Sequence, residues 1–223
     1  MAYLVRLGGL GAIRGAVLGP EHTAYLGEVI ARLREHATGV WLFGSAALGD
    51  FDPARSDLDV QAVTERRLSE DERLALAAAL SHDALACPVR GLELVLYARE
   101  DLAGPDGPRL ELNLNTGPRM EQRVDLAPDP AEWFWFVIDV AIGRERGVTL
   151  HGPPPGEVFP APPDALVERA LRAALAWYRE HESPGAAAVA AARAAAWRTE
   201  RRWLSKTEAA RWVAERAETA LPE

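Results

Sequence analysis

One cysteine and one lysine are all that this chain of 223 residues contains of either type. Cys87 has no second thiol to pair with, so an intrachain disulfide is excluded and a cytoplasmic setting is expected. No apolar run is long enough for a membrane-spanning helix. The leading stretch MAYLVRLGGLGAIRGAVLGP is apolar, but Arg6, Arg14 and several glycines interrupt it, so it lacks the core of a signal peptide. Residues 1–19 are expected to be a leading segment. Basic charge is also scarce: 25 Lys and Arg against 33 Asp and Glu leave a net charge of −8. That balance argues against a nucleic-acid surface, and neither a nucleic-acid nor a membrane partner is expected; a small cationic partner suits it better. Several motifs are missing too. There is no G-x-x-x-x-G-K-[ST] phosphate loop, no G-x-G-x-x-G before a suitable helix and no G-x-S-x-G elbow. His22, His36, His82, His151 and His181 show no zinc-ligand spacing.

What is present divides at about Asp129. In the first part, Pro20 and Glu21 open a helix that Gly39 should end. Val40–Phe43 reads as a short buried strand, and 45–48 as a helical turn. Pro53 marks 51–56 as a loop, and 58–63 is a second strand. Ser69, Asp71 and Glu72 cap a helix expected to run to about Ala86. Leu92–Tyr97 is a third strand, and Leu110, Leu112 and Leu114 alternate as a fourth. From Ala131 the pattern becomes helical, beginning with WFWFVIDVAI. The proline-rich 151–163 reads as a surface linker. Helices over 164–181, 185–202 and 205–220 follow. The expected architecture is therefore an α/β (α+β) mixed-sheet domain over 1–129 and an all-α helical bundle over 130–223, in a monomer.

The richest run is WLFGSAALGDFDPARSDLDV, 41–60. Gly44-Ser45 forms a turn straight after an apolar strand. Asp57 and Asp59 then open the next strand two residues apart, so they project from one face while Leu58 and Val60 point into a core. Two carboxylates on one face repel unless a cation lies between them. Mg²⁺ is held by one or two carboxylates together with substrate phosphates. A Gly-Ser turn opening a helix offers N–H groups and a hydroxyl to such phosphates. Glu93, in GLELVLY on the following strand, can join the same metal or take a proton from an attacking hydroxyl. Taken alone, it fits a solvated strand residue equally well.

The pattern GSAALGDFDPARSDLDV resembles the signature of the nucleotidyltransferase superfamily, a Gly-Ser followed at a distance by Asp-x-Asp. Within it, the chain looks most like the adenylyltransferases that modify the aminoglycosides streptomycin and spectinomycin. LFGSA, SDLD and Glu93 match the catalytic half, and GRERGVTLHGP, 143–153, matches a stretch that leaves the first helix of the C-terminal domain. Arg193 and Lys206 match, at the same spacing, basic residues placed on the nucleotide phosphates. The survival of lysine at that one position adds weight, because an ammonium and a guanidinium are not equivalent at a crowded phosphate. The stretch LELNLNTGPRM has no tryptophan where streptomycin-modifying members carry one. Glu182 is the nearest acidic residue to the position that reads the acceptor in those members.

The resemblance implies an enzyme that uses ATP as co-substrate and two Mg²⁺ ions. Asp57, Asp59 and Glu93 are expected at the metals, with Glu93 as base. Gly44, Ser45, Ser56, Arg193 and Lys206 are expected on the nucleotide, and Glu182 on the acceptor. AMP would pass to a hydroxyl of an aminoglycoside-type antibiotic with release of pyrophosphate. Glu111, Glu121, Asp125, Asp139 and Glu182 could attract a polycationic acceptor, although a soluble acidic surface explains most of them better. Two alternatives stand beside this: transfer to a protein or another small molecule, and a non-catalytic nucleotide-binding relative.

Overall fold

The computed structural model describes residues 18–127 and 129–219; most of the expected leading segment, 1–17, lies outside them. The chain divides into two compact units that part between Pro162 and Pro163.

The first unit is built on a six-stranded mixed sheet. Its strands are β1 (Ala37–Leu42), β2 (Leu58–Thr64), β3 (Leu92–Ala98), β4 (Leu110–Gly117), β5 (Met120–Asp125) and β6 (Val148–His151). They lie in the order β5-β4-β3-β2-β1-β6. Only β2 and β3 pair in parallel; the other pairs are antiparallel. The crossover between β2 and β3 carries a helix, as a parallel pair requires.

The period of two sorts the strand residues onto two faces. Val40 and Leu42, Leu58, Val60 and Ala62, Leu92, Leu94 and Leu96, and Leu112 and Leu114 bury one face under α1 (Pro20–Leu33) and α3 (Glu70–Leu80). Trp41, Val63, Val95, Tyr97 and Leu110 bury the other with Phe136 and Val140 of α4 (Trp133–Arg146). Asp57, Asp59 and Glu93 belong by parity to this second face, beyond the end of its apolar patch. A short helix α2 (Gly44–Leu48) follows β1.

Four expectations change here. The first helix ends at Leu33, not Gly39, because Ala37 already pairs with Thr64 and Gly39 with Val63 in β1. The helix after Ser69 stops at Leu80. There the extended backbone of Ser81 and its hydroxyl, which donates to the Ala78 carbonyl at 2.8 Å, close the last turn. The proline-rich linker is strapped to the sheet. It forms a short helix α5 (Pro155–Val158), and Phe159 is buried at 5.1, 5.8 and 5.9 Å from the rings of Trp41, Phe43 and Tyr97. The Trp41 indole N–H donates to the Pro153 carbonyl at 2.8 Å. Finally, the two compact units do not part at 129/130. Phe136 and Val140 anchor α4 on the sheet, and β6 pairs with β1, so both stay with the first unit.

The second unit holds α6 (Asp164–His181), α7 (Pro184–Glu200) and α8 (Lys206–Thr219). Ala192, Ala196, Leu204 and Ala209 form a small-residue core that Val189 and Trp212 cover. Arg198 grips Glu168 with two hydrogen bonds of 2.9 Å. Ser205 and Glu208 cap the start of α8 reciprocally, at 3.1 and 2.6 Å. No described helix is long and apolar enough to cross a membrane.

Candidate active site

The acidic cluster is set by strand register. In the parallel pair, Asp59 lies opposite Glu93, and on the other side of β3 Glu93 lies opposite Asn115. Adjacent strands are about 4.8 Å apart, so these side chains share one patch. Asp57 enters it from the loop before β2. That loop is tied by Asp52, whose carbonyl accepts from Ser56 N–H at 2.7 Å and whose own N–H donates to Ser56 Oγ at 3.0 Å. Ser56 therefore shapes the loop that delivers Asp57.

Glu93 is strongly perturbed. Burial raises its proton affinity first, then the charges of Asp57 and Asp139, and a hydrogen bond shared with Asp57 adds to them. Arg90 opposes the rise. The result is a carboxyl pushed up to about 7. A hydrogen bond between two carboxyl groups needs one proton between them, so the raised affinity and the geometry agree. Asp57 is in turn ion-paired to Arg90 Nη1.

The Gly44-Ser45 turn touches the acidic strand. Phe43 N–H donates to the Asp59 carbonyl at 2.8 Å, which brings the end of β1 alongside β2. Gly44 follows with φ +59°, and a Cβ placed on it would overlap Asp59 Oδ2. Ser45 Oγ is buried and has no hydrogen-bond partner among the described residues. An unpaired buried hydroxyl is costly, and its position next to Gly44 makes it available to a ligand oxygen.

The structure thus brings together Gly44, Ser45, Ser56, Asp57, Asp59 and Glu93. Arg193, Lys206 and Glu182 belong to the second unit. There Arg193 Nε donates to the Leu204 carbonyl at 2.7 Å, which brings it to the segment leading into Lys206, an exposed first residue of α8. Glu182 is exposed at the end of α6. Of the other acidic residues, Glu111 is buried and accepts from Leu68 N–H at 3.3 Å. Asp125 is held by Arg123 at 2.7 Å and by the Asn113 amide at 3.2 Å. Both serve the fold.

Beside Glu93 opens a pocket of about 440 Å³ lined by Arg90, Asn115, Met120, Glu121, Gln122 and Arg123. Most of that wall is β5, which sequence reasoning does not detect. MEQRVD is an exposed edge strand without apolar alternation, and its tight link to β4 through Gly117 and Met120 is its only signal. Arg90 and the influence of Asp139 on Glu93 were also hidden, because each depends on a contact between elements.

The donor set suits a hard divalent cation. The described residues contain no ready group of three or more acidic, His or Cys side chains disposed around a metal. Mg²⁺ does not need one, because two carboxylates completed by substrate phosphates suffice. Asp57 and Asp59 are the carboxylates that could hold it, and the Ser45 hydroxyl is buried without a hydrogen-bond partner among the described residues. Burial is the main cause of the raised Glu93 affinity, and a cation would relieve the smaller part that comes from the charges of Asp57 and Asp139.

The nucleotidyltransferase domain family model matches residues 26–102, which include α2, the Asp57/Asp59 strand and Glu93. No match is found among curated protein sequences. Among solved structures, the chain is similar to spectinomycin adenyltransferase AAD(9) from Enterococcus faecialis, solved with ATP and spectinomycin. The TM-score is 0.64 at 16% identity, over 88% of this chain and 82% of that one. Residues 26–102 thus match the nucleotidyltransferase domain family, in a chain that shares its fold with that spectinomycin adenyltransferase.

Proposed function

We propose that the protein transfers AMP from ATP to a hydroxyl of an aminoglycoside-type acceptor and releases pyrophosphate. The observation that carries this reading is Glu93. It is half-buried beside two aspartates, has its proton affinity pushed up to about 7, and lines an open pocket. A carboxyl with that affinity is suited to accept a proton near neutral pH. The fold likeness to an adenyltransferase solved with ATP and spectinomycin supports the choice of donor and acceptor.

In this reading the acceptor lies in the pocket with its hydroxyl at Glu93. The hydroxyl oxygen attacks the α-phosphorus in line, the bond from that phosphorus to the β-phosphate bridge breaks, and Glu93 takes the hydroxyl proton. Gly44 N–H and the Ser45 hydroxyl orient the phosphates. Arg193 and Lys206 are assigned to the triphosphate on the resemblance. Asp57 and Asp59 would hold Mg²⁺, which supplies charge neutralisation on the phosphates as the leaving group departs. Glu121, exposed on the pocket wall, offers a carboxylate to an acceptor ammonium. Positioning and electrostatics do most of the work in such a transfer.

The test mixes protein, ATP, Mg²⁺ and a panel of aminoglycosides and follows pyrophosphate. Acceptor-dependent release is expected. Release that no member of the panel stimulates would remove the antibiotic reading.

A further inference from the structure

Arg90 holds a position that the carboxylate chemistry does not call for. Its main chain is pinned. The Arg90 carbonyl accepts from Arg119 N–H at 3.2 Å, and the Gly91 carbonyl accepts from Leu58 N–H at 2.9 Å. Gly117 backs onto the same peptide so closely that a Cβ there would overlap Gly91 Cα and lie 2.5 Å from the Arg90 carbonyl oxygen. The side chain is not enclosed: it is 43% exposed, while its partner Asp57 is 18% exposed. The guanidinium therefore has room to turn on a fixed base. It reaches Asp57 on one side and forms part of the pocket wall with Glu93 on the other.

We infer that Arg90 is the resident cation of the acidic cluster, competing with the divalent metal for Asp57. In the metal-free protein the guanidinium neutralises Asp57 through Oδ2. A divalent cation that takes the same oxygen competes with it, because the two positive charges repel each other at that short range. A guanidinium is weakly hydrated and always charged, so it can occupy a partly buried carboxylate without the dehydration that Mg²⁺ resists. The displaced side chain turns toward the pocket it already lines, beside Glu93. Arg90 is thus a positioning residue. It keeps the carboxylates together before metal arrives and lowers the apparent metal affinity by the fraction of molecules in which it holds Asp57. The inference rests on the reading of Asp57 as a metal ligand in the proposed function.

The experiment measures Mn²⁺ binding to the full chain, without ATP or acceptor, by electron paramagnetic resonance of the free ion. Wild type is compared with R90Q, R90K, D57N and R90Q/D57N. R90Q should bind Mn²⁺ about tenfold more tightly than wild type, since the competing charge is gone. R90K should stay near wild type. D57N and R90Q/D57N should bind alike, because without the Asp57 carboxylate there is nothing for Arg90 to compete for. Equal or weaker binding by R90Q than by wild type, or no Mn²⁺ binding by either protein, would overturn the inference. A second readout dispenses with R90Q in case that variant does not fold. The side-chain NMR signal of Arg90, assigned by its loss in R90K, should shift as Mg²⁺ is added, and a signal indifferent to saturating Mg²⁺ would contradict displacement. Neither readout involves turnover, so failure of pyrophosphate release would leave this result standing and the reverse also holds.

Discussion

Gly44 and the carboxylate of Asp59 are in direct contact, so the Gly44-Ser45 turn and the acidic strand form one object. Gly44 adopts φ +59°, and a Cβ there would overlap Asp59 Oδ2. Gly44→Ala should fail on both counts. Left-handed backbone costs a residue with a Cβ roughly 1–2 kcal/mol, and the short Asp59 side chain must leave its place. Chemical denaturation should show a loss of that size. Pyrophosphate release should fall by about two orders of magnitude, the scale at which misplaced catalytic groups are felt. A variant with undiminished turnover would separate Gly44 from the site.

Glu93 makes stability depend on pH in a direction opposite to an ordinary carboxylate. Its folded affinity is raised from the usual range to about 7 by burial, then by Asp57 and Asp139. Folding therefore favours its protonated form. That contribution is complete below pH about 4.5, where both states are protonated, and is lost as pH rises through about 7. In metal-free protein, Glu93→Gln should remove this loss and be more stable than wild type at pH 8, by on the order of 2 kcal/mol. The two proteins should converge near pH 4.5. Urea midpoints across that range measure it, and a Gln variant less stable at pH 8 would contradict the raised affinity.

Ser45 separates stability from binding. Its Oγ is buried without a partner among the described residues, so Ser45→Ala removes an unsatisfied group and should leave the metal-free protein as stable or slightly more so. The same change should raise KM for ATP about tenfold, the worth of a hydrogen bond to a charged group. Thermal melts and steady-state kinetics on one preparation test both halves. An unaltered KM would make the hydroxyl a bystander.

Phe159 tests whether the proline-rich segment belongs to the core. It packs on Trp41, Phe43 and Tyr97, and its carbonyl accepts from Arg144 Nε at 3.2 Å. Phe159→Ala should cost about 3–5 kcal/mol, as emptying a filled aromatic site does. A surface linker would lose less than about 0.5 kcal/mol.

Much of this was legible where a residue's role follows from local spacing. The 57/59 pair, the buried Leu58 and Val60 between and after them, and Glu93 on a neighbouring strand all follow from a period of two. α6, α7 and α8 follow from proline and serine starts and from composition. What spacing does not reveal is which elements meet. α4 joins the sheet because Phe136 and Val140 meet Trp41, Tyr97 and Phe159, which are distant in sequence. β5 has no apolar face, so pattern reading passes over it, yet Met120, Glu121 and Gln122 form the pocket wall. Arg90 stands three residues before Glu93 and looks like a solvated turn residue until its contact with Asp57 is seen.

The most direct measurement is mass spectrometry of the acceptor after incubation with ATP and Mg²⁺, using wild type and Glu93→Gln side by side with ATP binding measured on both. The account predicts an acceptor heavier by one adenylyl group with wild type, and none with a Gln variant that still binds ATP. Adenylyl groups found on no aminoglycoside with wild type, or on the acceptor at equal rate with Glu93→Gln, would contradict it.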